Sequence, residues 1–110
     1  MEKKQSLDAF AALSQETRLD AFRLLVRTGP EGMLAGDIGE ALGVRQNTMS
    51  ANLSVLSHAG LIRHVREGRA VRYFADMDGM KGLLQFLMED CCGGRAELCQ
   101  PVIDKIACCC

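Results

Sequence analysis

The sequence predicts a mainly α-helical protein that carries one small β-hairpin. Apolar residues recur at every third or fourth position through most of the chain. Near the middle, two short helical runs are joined by a turn that contains a glycine, and two β-prone runs then flank a second glycine. The first spacing is that of amphipathic helices, and a glycine between two β-prone runs is typical of a hairpin turn.

Length and composition limit the class of protein. A chain of 110 residues suits a single domain. No apolar stretch is long enough to span a membrane, and the amphipathic amino terminus is unlike a signal peptide, so we expect a cytoplasmic protein. Because the net charge is −1, any binding to nucleic acid must depend on local basic patches rather than on an overall positive charge.

Two helices are predicted in the first part of the chain. The first has Ser6 as its N-cap, and because it is short we expect it to pack on something else, such as a second subunit. The second begins at Ser14 and stops at Gly29 and Pro30. Its apolar face is formed by Leu19, Phe22, Leu25 and Val26.

A helix-turn-helix is predicted next. Its first helix has an apolar face within residues 34–42, Gly43 supplies the turn, and its second helix covers residues 45–59. Two short helices joined by a glycine-containing turn are the signature of this motif. On a helical period, the inward side of the second helix is formed by Val44, Met49, Leu53 and Leu56.

The outward side of that second helix is small, polar and almost uncharged. A merely solvated helix would carry Lys and Glu there, whereas amides and hydroxyls suit the donors and acceptors of the DNA major groove. An ordinary polar surface is the alternative. On this helix, the residues predicted to contact DNA are Gln46, Asn47, Ser50 and Ser54.

A basic hairpin follows directly. The β-prone runs 61–66 and 70–75 flank Glu67, Gly68 and Arg69, which predicts two strands and a tight turn. Its five potential cations are expected to contact phosphates, although a solvated hairpin is the alternative. These cations are Arg63, His64, Arg66, Arg69 and Arg72. A helix-turn-helix followed by a hairpin is a winged helix-turn-helix.

The last long helix is predicted to begin after Asp76 or Asp78, either of which suits an N-cap. Its broad apolar stripe is formed by Met80, Leu83, Leu84, Leu87 and Met88. The stripe can serve as core, as a dimer interface, or as both. A domain this small gains by sharing the apolar faces of its first and last long helices, which predicts a homodimer. A further short helix is predicted from Pro101.

All six cysteines lie within the last twenty residues. Because cytosolic thiols are kept reduced, clustered cysteines there favour metal binding or reactivity over disulfides. We therefore divide the chain into a winged helix-turn-helix domain for DNA binding and dimerisation, residues 1–92, and a cysteine-rich sensing tail, residues 93–110.

Cys91, Cys92 and Cys99 are predicted to form a three-sulfur site. Thiolates select soft ions, and the two glycines after Cys92 allow the chain to turn back. Three sulfurs suit a trigonal-pyramidal ion such as As(III) or Sb(III), whereas Zn prefers four ligands. A fourth ligand from the terminal cysteines, Glu97 or Asp90 would allow Zn, Cd or Pb. The remaining cysteines are Cys108, Cys109 and Cys110. They can form a second site, pass an ion to the first, or have no role.

Residues 7–90 resemble the ArsR/SmtB family of metal- and metalloid-responsive winged-helix repressors. The resemblance depends on three stretches, which read ALSQETRLDAFRLL, VRQNTMSANLSVLSHAGLI and VREGRAVRYF. It implies a homodimer joined through the first and last long helices, operator binding next to the protein's own promoter, and release when an inducing ion binds. By position, Gln46, Asn47 and Ser50 look like base-reading residues, with Arg66 and Arg69 on the wing.

The sequence departs from the family at two sensing positions. Where the arsenic-sensing prototype carries ELCVCDL, this chain reads MLAGDI, with Leu34 and Gly36 in place of the cysteines. Residues 77–89 contain no histidine, so the zinc site of the last long helix in other relatives is not expected. The cluster of Cys91, Cys92 and Cys99 instead resembles a subgroup that senses As(III) through a vicinal cysteine pair and a third cysteine.

The predicted function is that of an arsenite- or antimonite-responsive repressor, which binds double-stranded operator DNA as a dimer and needs no organic cofactor. The alternatives are a Cd-, Pb- or Zn-sensing repressor, a thiol redox sensor that pairs Cys99 with Cys91 or Cys92, and a metalloid-buffering protein that binds no DNA. An enzyme is not expected. A catalytic cysteine needs a base, and His58 and His64 lie at the end of the DNA-reading helix and in the hairpin.

Overall fold

The computed structural model describes residues 2–88 and 96–107. The described part is mostly helical and contains one small antiparallel sheet, which confirms the predicted fold class. In chain order its helices and strands are α1 Lys3–Leu13, α2 Glu16–Thr28, β1 Met33–Leu34, α3 Ala35–Leu42, α4 Gln46–His58, β2 Ile62–Glu67, β3 Ala70–Ala75, α5 Met77–Met88 and α6 Ala96–Ala107. A single 3₁₀ turn, Gly29–Glu31, follows α2.

The sheet has the strand order β1-β3-β2. The predicted hairpin is confirmed, and its closing pair is Glu67 with Ala70. Gly68 therefore begins a two-residue loop, and its φ of 63° is one that glycine adopts without steric cost. Strand β1 was not predicted. It has only two residues, too few for an alternating pattern, and it exists because Met33 pairs with Tyr73 of β3.

The core lies where the helices meet the hairpin. Residues predicted to point inward from α4 do so, since Met49, Leu53 and Leu56 are each 0% exposed. The other buried apolar residues come from α1, α2, α3, α5 and the start of the hairpin. They are Ala9, Ala12, Ala21, Phe22, Leu25, Ile38, Leu61, Ile62 and Leu83.

Three predicted helix starts are wrong. Ser6 lies inside α1 and is buried, and Glu2 is the N-cap instead. Helix α2 begins at Glu16, because the side chain of Gln15 accepts a hydrogen bond from the Arg18 backbone NH at 2.8 Å and caps the helix. Helix α6 begins five residues before the predicted Pro101, which lies inside it. A helix cap depends on hydrogen bonds within a few residues, and several polar residues near each start could form them. The sequence alone therefore does not identify the cap.

The predicted N-cap of the last long helix is confirmed as Asp76. Its Oδ1 accepts hydrogen bonds from the backbone NH groups of Asp78 and Gly79, both at 3.1 Å. These bonds satisfy donors that have no partner within the helix. Within the described residues, every helix is too short or too polar to cross a membrane.

Candidate nucleic-acid interface

Helix α4 presents the polar side that was predicted to read DNA. Gly43 ends α3 in the left-handed conformation, with φ of 66°, and α4 begins three residues later at Gln46. Because Met49, Leu53 and Leu56 anchor one side in the core, the opposite side is held outward. The four residues of α4 that were predicted to contact DNA are all exposed, namely Gln46, Asn47, Ser50 and Ser54.

Two of these side chains already make hydrogen bonds within α4. The carboxamide oxygen of Asn47 accepts from the Thr48 backbone NH at 2.9 Å. Ser54 Oγ lies 3.4 Å from Nδ1 of His58, and that nitrogen also lies 2.8 Å from the Ser54 carbonyl oxygen. Asn47 therefore offers its NH₂ group to a ligand more readily than its oxygen. The His58 ring is held by contacts within the last turn of α4.

The five cations of the hairpin do not form a single patch. Side chains alternate between the two faces of a strand, and paired residues share a face. Arg63 is paired with Phe74, and its guanidinium lies 4.4 Å from the centre of that ring. On the opposite face, His64 and Tyr73 are paired, with ring centres 5.6 Å apart.

Arg72 is held by protein groups. Its Nε donates to Glu67 Oε2 at 2.8 Å, and Nη1 donates to the Glu31 carbonyl oxygen at 3.2 Å. The hydrogen bond to Glu67 raises the pKa of the Arg72 guanidinium above its ordinary value. Arg72 therefore braces the hairpin against the segment before β1, and it is a weaker candidate for phosphate binding than the sequence suggested.

The structure brings Arg69 of the wing beside α4. An open cleft with a volume of about 420 Å³ is lined by Gln46, Ser50 and Arg69, together with the start of α3. Gln46 leans toward α3, since a Cβ added at Gly39 would lie 3.1 Å from its Oε1. Two amide or hydroxyl side chains and one guanidinium can together contact base edges and a phosphate. Asn47, Ser54 and Arg66 are exposed but do not line this cleft.

Of the predicted metal ligands, only Cys99 lies among the described residues. It is on α6, is 4% exposed, and takes part in a disulfide bond. Cys91, Cys92, Cys108, Cys109 and Cys110 lie outside the described residues. Within residues 2–88 and 96–107, no three His, Cys, Asp or Glu side chains are grouped closely enough to hold a metal ion.

Sequence reasoning missed Arg18. It is the third residue of α2, and its side chain reaches both the end of α1 and Asn52 of α4. The available signal was its charge, because the amino-terminal end of a helix favours acidic rather than basic residues.

Comparison with protein families agrees with the helix-turn-helix geometry. A family model described as a helix-turn-helix domain matches residues 13–65, which run from the end of α1 into β2. No curated protein matches the chain.

Solved structures share the winged fold. An ArsR-like transcriptional regulator from Rhodococcus sp. RHA1 is 27% identical, with a TM-score of 0.70 over 94% of this chain and 93% of that chain. The homodimeric winged helix-turn-helix DNA-binding domain of Mb0332 from Mycobacterium bovis, described as a possible ArsR-family transcriptional regulator, is 29% identical, with a TM-score of 0.64 over 79% and 81%. HlyU from Vibrio cholerae, at 23% identity and a TM-score of 0.64 over 80% and 95%, shows the likeness of fold alone.

Proposed function

We propose that this winged helix-turn-helix chain is a transcriptional repressor of the ArsR type that binds operator DNA as a homodimer. The observation that carries the proposal is the cleft in which Gln46 and Ser50 of α4 meet Arg69 of the wing. A helix that offers amides and hydroxyls reads base edges, while an arginine at its flank neutralises phosphate. The likeness to the ArsR-like regulator from Rhodococcus supports the same function.

Dimerisation is supported by apolar side chains that the single chain leaves exposed. Leu7 on α1 is 58% exposed, and Leu87 on α5 is 52% exposed. A second copy would cover both helices, as the resemblance implies. Two recognition helices placed about one DNA turn apart, roughly 34 Å, would then read the two halves of a palindromic operator.

The inducer we propose is As(III) or Sb(III), bound by Cys91, Cys92 and Cys99. Cys99 is the one proposed ligand among the described residues, and it lies on α6 with 4% of its surface exposed. Ligation needs deprotonated sulfur, so binding releases protons and weakens as pH falls. The ion must bind the arrangement of the dimer that cannot bind DNA more tightly than the arrangement that can. A coupling of about 1–3 kcal/mol is usual, and near-complete switching needs about 5.5 kcal/mol.

The disulfide at Cys99 favours a second candidate function, a thiol redox-sensing repressor. A sulfur in a disulfide has no thiolate to offer an ion, so As(III) binds only after two electrons and two protons reduce that bond. In the redox alternative, formation of the disulfide is itself the signal, and no metalloid takes part.

One titration separates the two functions. Operator DNA from upstream of the gene is bound to the protein in a non-thiol reductant, followed by fluorescence anisotropy, and arsenite is added. Release by arsenite supports the metalloid sensor, whereas release that requires an oxidant supports the redox sensor. Absence of any binding to this DNA at low salt would contradict the repressor function altogether.

Cysteine replacements test the ligand set in the same assay. Changing Cys91, Cys92 or Cys99 to Ser should abolish release by arsenite and leave operator affinity unchanged. The matched control changes Cys108, Cys109 and Cys110 to Ser and should release normally. A full loss of release in that control would show that the site includes the terminal cysteines.

A further inference from the structure

Arg18 joins three helices through one guanidinium group. Its Nε donates to the Ala12 carbonyl oxygen at 2.6 Å, and its Nη2 donates to the Ala11 carbonyl oxygen at 3.4 Å. Its Nη1 donates to Oδ1 of Asn52 at 3.3 Å. Ala11 and Ala12 lie in the last turn of α1, whereas Asn52 lies in the middle of α4. The donor side chain therefore starts on α2 and ends between the other two helices.

The charge of Arg18 is balanced by a helix end. Within the described residues, no carboxylate lies within ion-pair distance of its guanidinium. The last carbonyl groups of a helix lack partners within the helix and carry partial negative charge, so they favour a cation. The planar fork of arginine directs its donors in set directions. Bonds to Ala12 and Asn52 therefore restrict both the distance and the angle between α1 and α4.

The Arg18 bridge lies beside an open cleft between α1 and α4. The cleft has a volume of about 400 Å³, and Arg18, Asp8, Ser54 and His58 are among the residues that line it. Asn52 lies on α4 between the core side and the side predicted to contact DNA. It immediately precedes Leu53, which is 0% exposed, and it is two residues from both Ser50 and Ser54. A change in the position of Asn52 moves the DNA-contacting side of α4 with it.

We infer that Arg18 is a positioning residue for DNA recognition, which ties the end of α1 to the middle of the recognition helix α4. The inference rests on the proposed function, because α1 would lie at the dimer interface and α4 on the operator. A rearrangement at that interface then shifts the recognition helix, because the Arg18 side chain is hydrogen-bonded to Ala12 of α1 and to Asn52 of α4. Arg18 touches neither DNA nor inducer in this scheme.

Arg18→Lys tests the geometry of the bridge because it keeps the positive charge and removes the planar fork. Operator affinity should fall roughly tenfold, the loss expected for one charged hydrogen bond. Affinity for a scrambled duplex at low salt should hardly change, because the charge is kept. The matched control is Arg23→Lys in the same helix, since the Arg23 side chain is exposed and makes no hydrogen bond within the described residues. It should leave both affinities unchanged.

Asn52→Ala keeps the test decisive if Arg18→Lys folds poorly. It removes the acceptor from a half-buried position on α4 and adds no larger side chain. Arg18→Lys and Asn52→Ala break the same bond. The double variant should therefore bind the operator no more weakly than the single variant with the larger loss of affinity. Unchanged operator affinity in both single variants, or losses that multiply in the double variant, would overturn the inference.

A measurement without DNA separates this inference from the proposed function. Hydrogen exchange of the free protein should speed up in the last turn of α1 and the middle of α4 for Arg18→Lys, and not for Arg23→Lys. If that difference appears while the wild type fails to bind the operator, the result supports the Arg18 bridge and contradicts the repressor function. If the two variants exchange alike, the bridge does not restrain these helices.

Discussion

Ser6 carries a hydroxyl group that is buried without a visible partner. The residue is 1% exposed, and its Oγ makes no hydrogen bond within the described part of the chain. It occupies a position in α1 whose neighbours on the same side, Ala9 and Ala12, are apolar and buried. A buried hydroxyl without a partner costs free energy that an alanine at the same place does not.

Replacing Ser6 by Ala should therefore raise the free energy of unfolding by roughly 1 kcal/mol, since alanine also has the higher helix propensity. Urea unfolding at a fixed protomer concentration measures the change. The control is Thr28→Val, because Thr28 Oγ1 donates to the Leu24 carbonyl oxygen at 2.8 Å and its loss should lower stability. A less stable Ser6→Ala variant would mean that the hydroxyl has a partner, such as a buried water.

Arg69 and Arg72 lie three residues apart in the hairpin and should behave differently on DNA. Arg69→Ala should weaken operator binding several-fold and reduce the slope of log affinity against log salt by about one phosphate contact. Arg72→Ala should leave that slope unchanged, because Arg72 is paired with Glu67 at 2.8 Å. Anisotropy titrations at a series of salt concentrations compare the two variants. Equal slopes would contradict the assignment of Arg69 to the DNA-binding cleft.

At the scale of helices and strands, the start of α5 packs against the turn that follows α4. A Cβ added at Gly79 would overlap the carbonyl oxygen of Gly60. Gly60 itself has a φ of 78°, a conformation that favours glycine. The hydrogen bond from the Asp76 NH to the Leu61 carbonyl oxygen at 2.8 Å closes the same contact. This glycine pair sets how closely the proposed dimerisation helix approaches the DNA-reading unit.

Gly79→Ala should lower the free energy of unfolding by about 1–3 kcal/mol, since neither backbone can move without losing contacts. The control is Gly36→Ala, where an added Cβ meets nothing within 4 Å and helix propensity predicts a gain of about 0.5–1 kcal/mol. Both are measured by urea unfolding at one protomer concentration. If the two variants lost equal stability, the close approach at Gly60 would not be the cause.

For the whole molecule, half of the exposed large apolar side chains among the described residues lie on α5 and α6. An open groove with a volume of about 700 Å³ runs between them, and its lining is almost entirely apolar. Leu84 and Leu87 line it from α5, and Val102, Ile103 and Ile106 line it from α6. Apolar surface of this extent is uncommon on a monomer and marks a place of association.

Leu87→Glu should weaken the proposed homodimer, because a carboxylate cannot be buried there without a partner. We expect the dimer dissociation constant to rise by more than about tenfold, with operator affinity falling in parallel as the two half-sites are no longer read together. Sedimentation velocity over a concentration series measures the first effect. Leu19→Glu, at a site 41% exposed on α2, should leave the dimer intact. A fully dimeric Leu87→Glu variant would place the interface elsewhere.

Several features could be predicted from the sequence because their signals are local. The inward residues of α4, the turn at Gly43 and the hairpin around Gly68 depend on periodicity and turn chemistry within a few positions. The exposed polar side of α4 follows from the same periodicity. The cysteine site stays a prediction from spacing and thiolate chemistry, since Cys99 is the one ligand that the described residues include.

Other features were decided by tertiary structure. Arg18 and Asn52 are 34 residues apart, and no periodicity relates them. The packing of α1, α2 and α4 around a shared core brings them together. Strand pairing likewise divided the basic residues between the two faces of the hairpin, and it gave Arg72 a partner in Glu67. The sequence by itself determined which segments are helical and which side of each is apolar, because those depend on spacing along one element. Which polar groups meet depended on contacts between elements, and only the folded chain decides those.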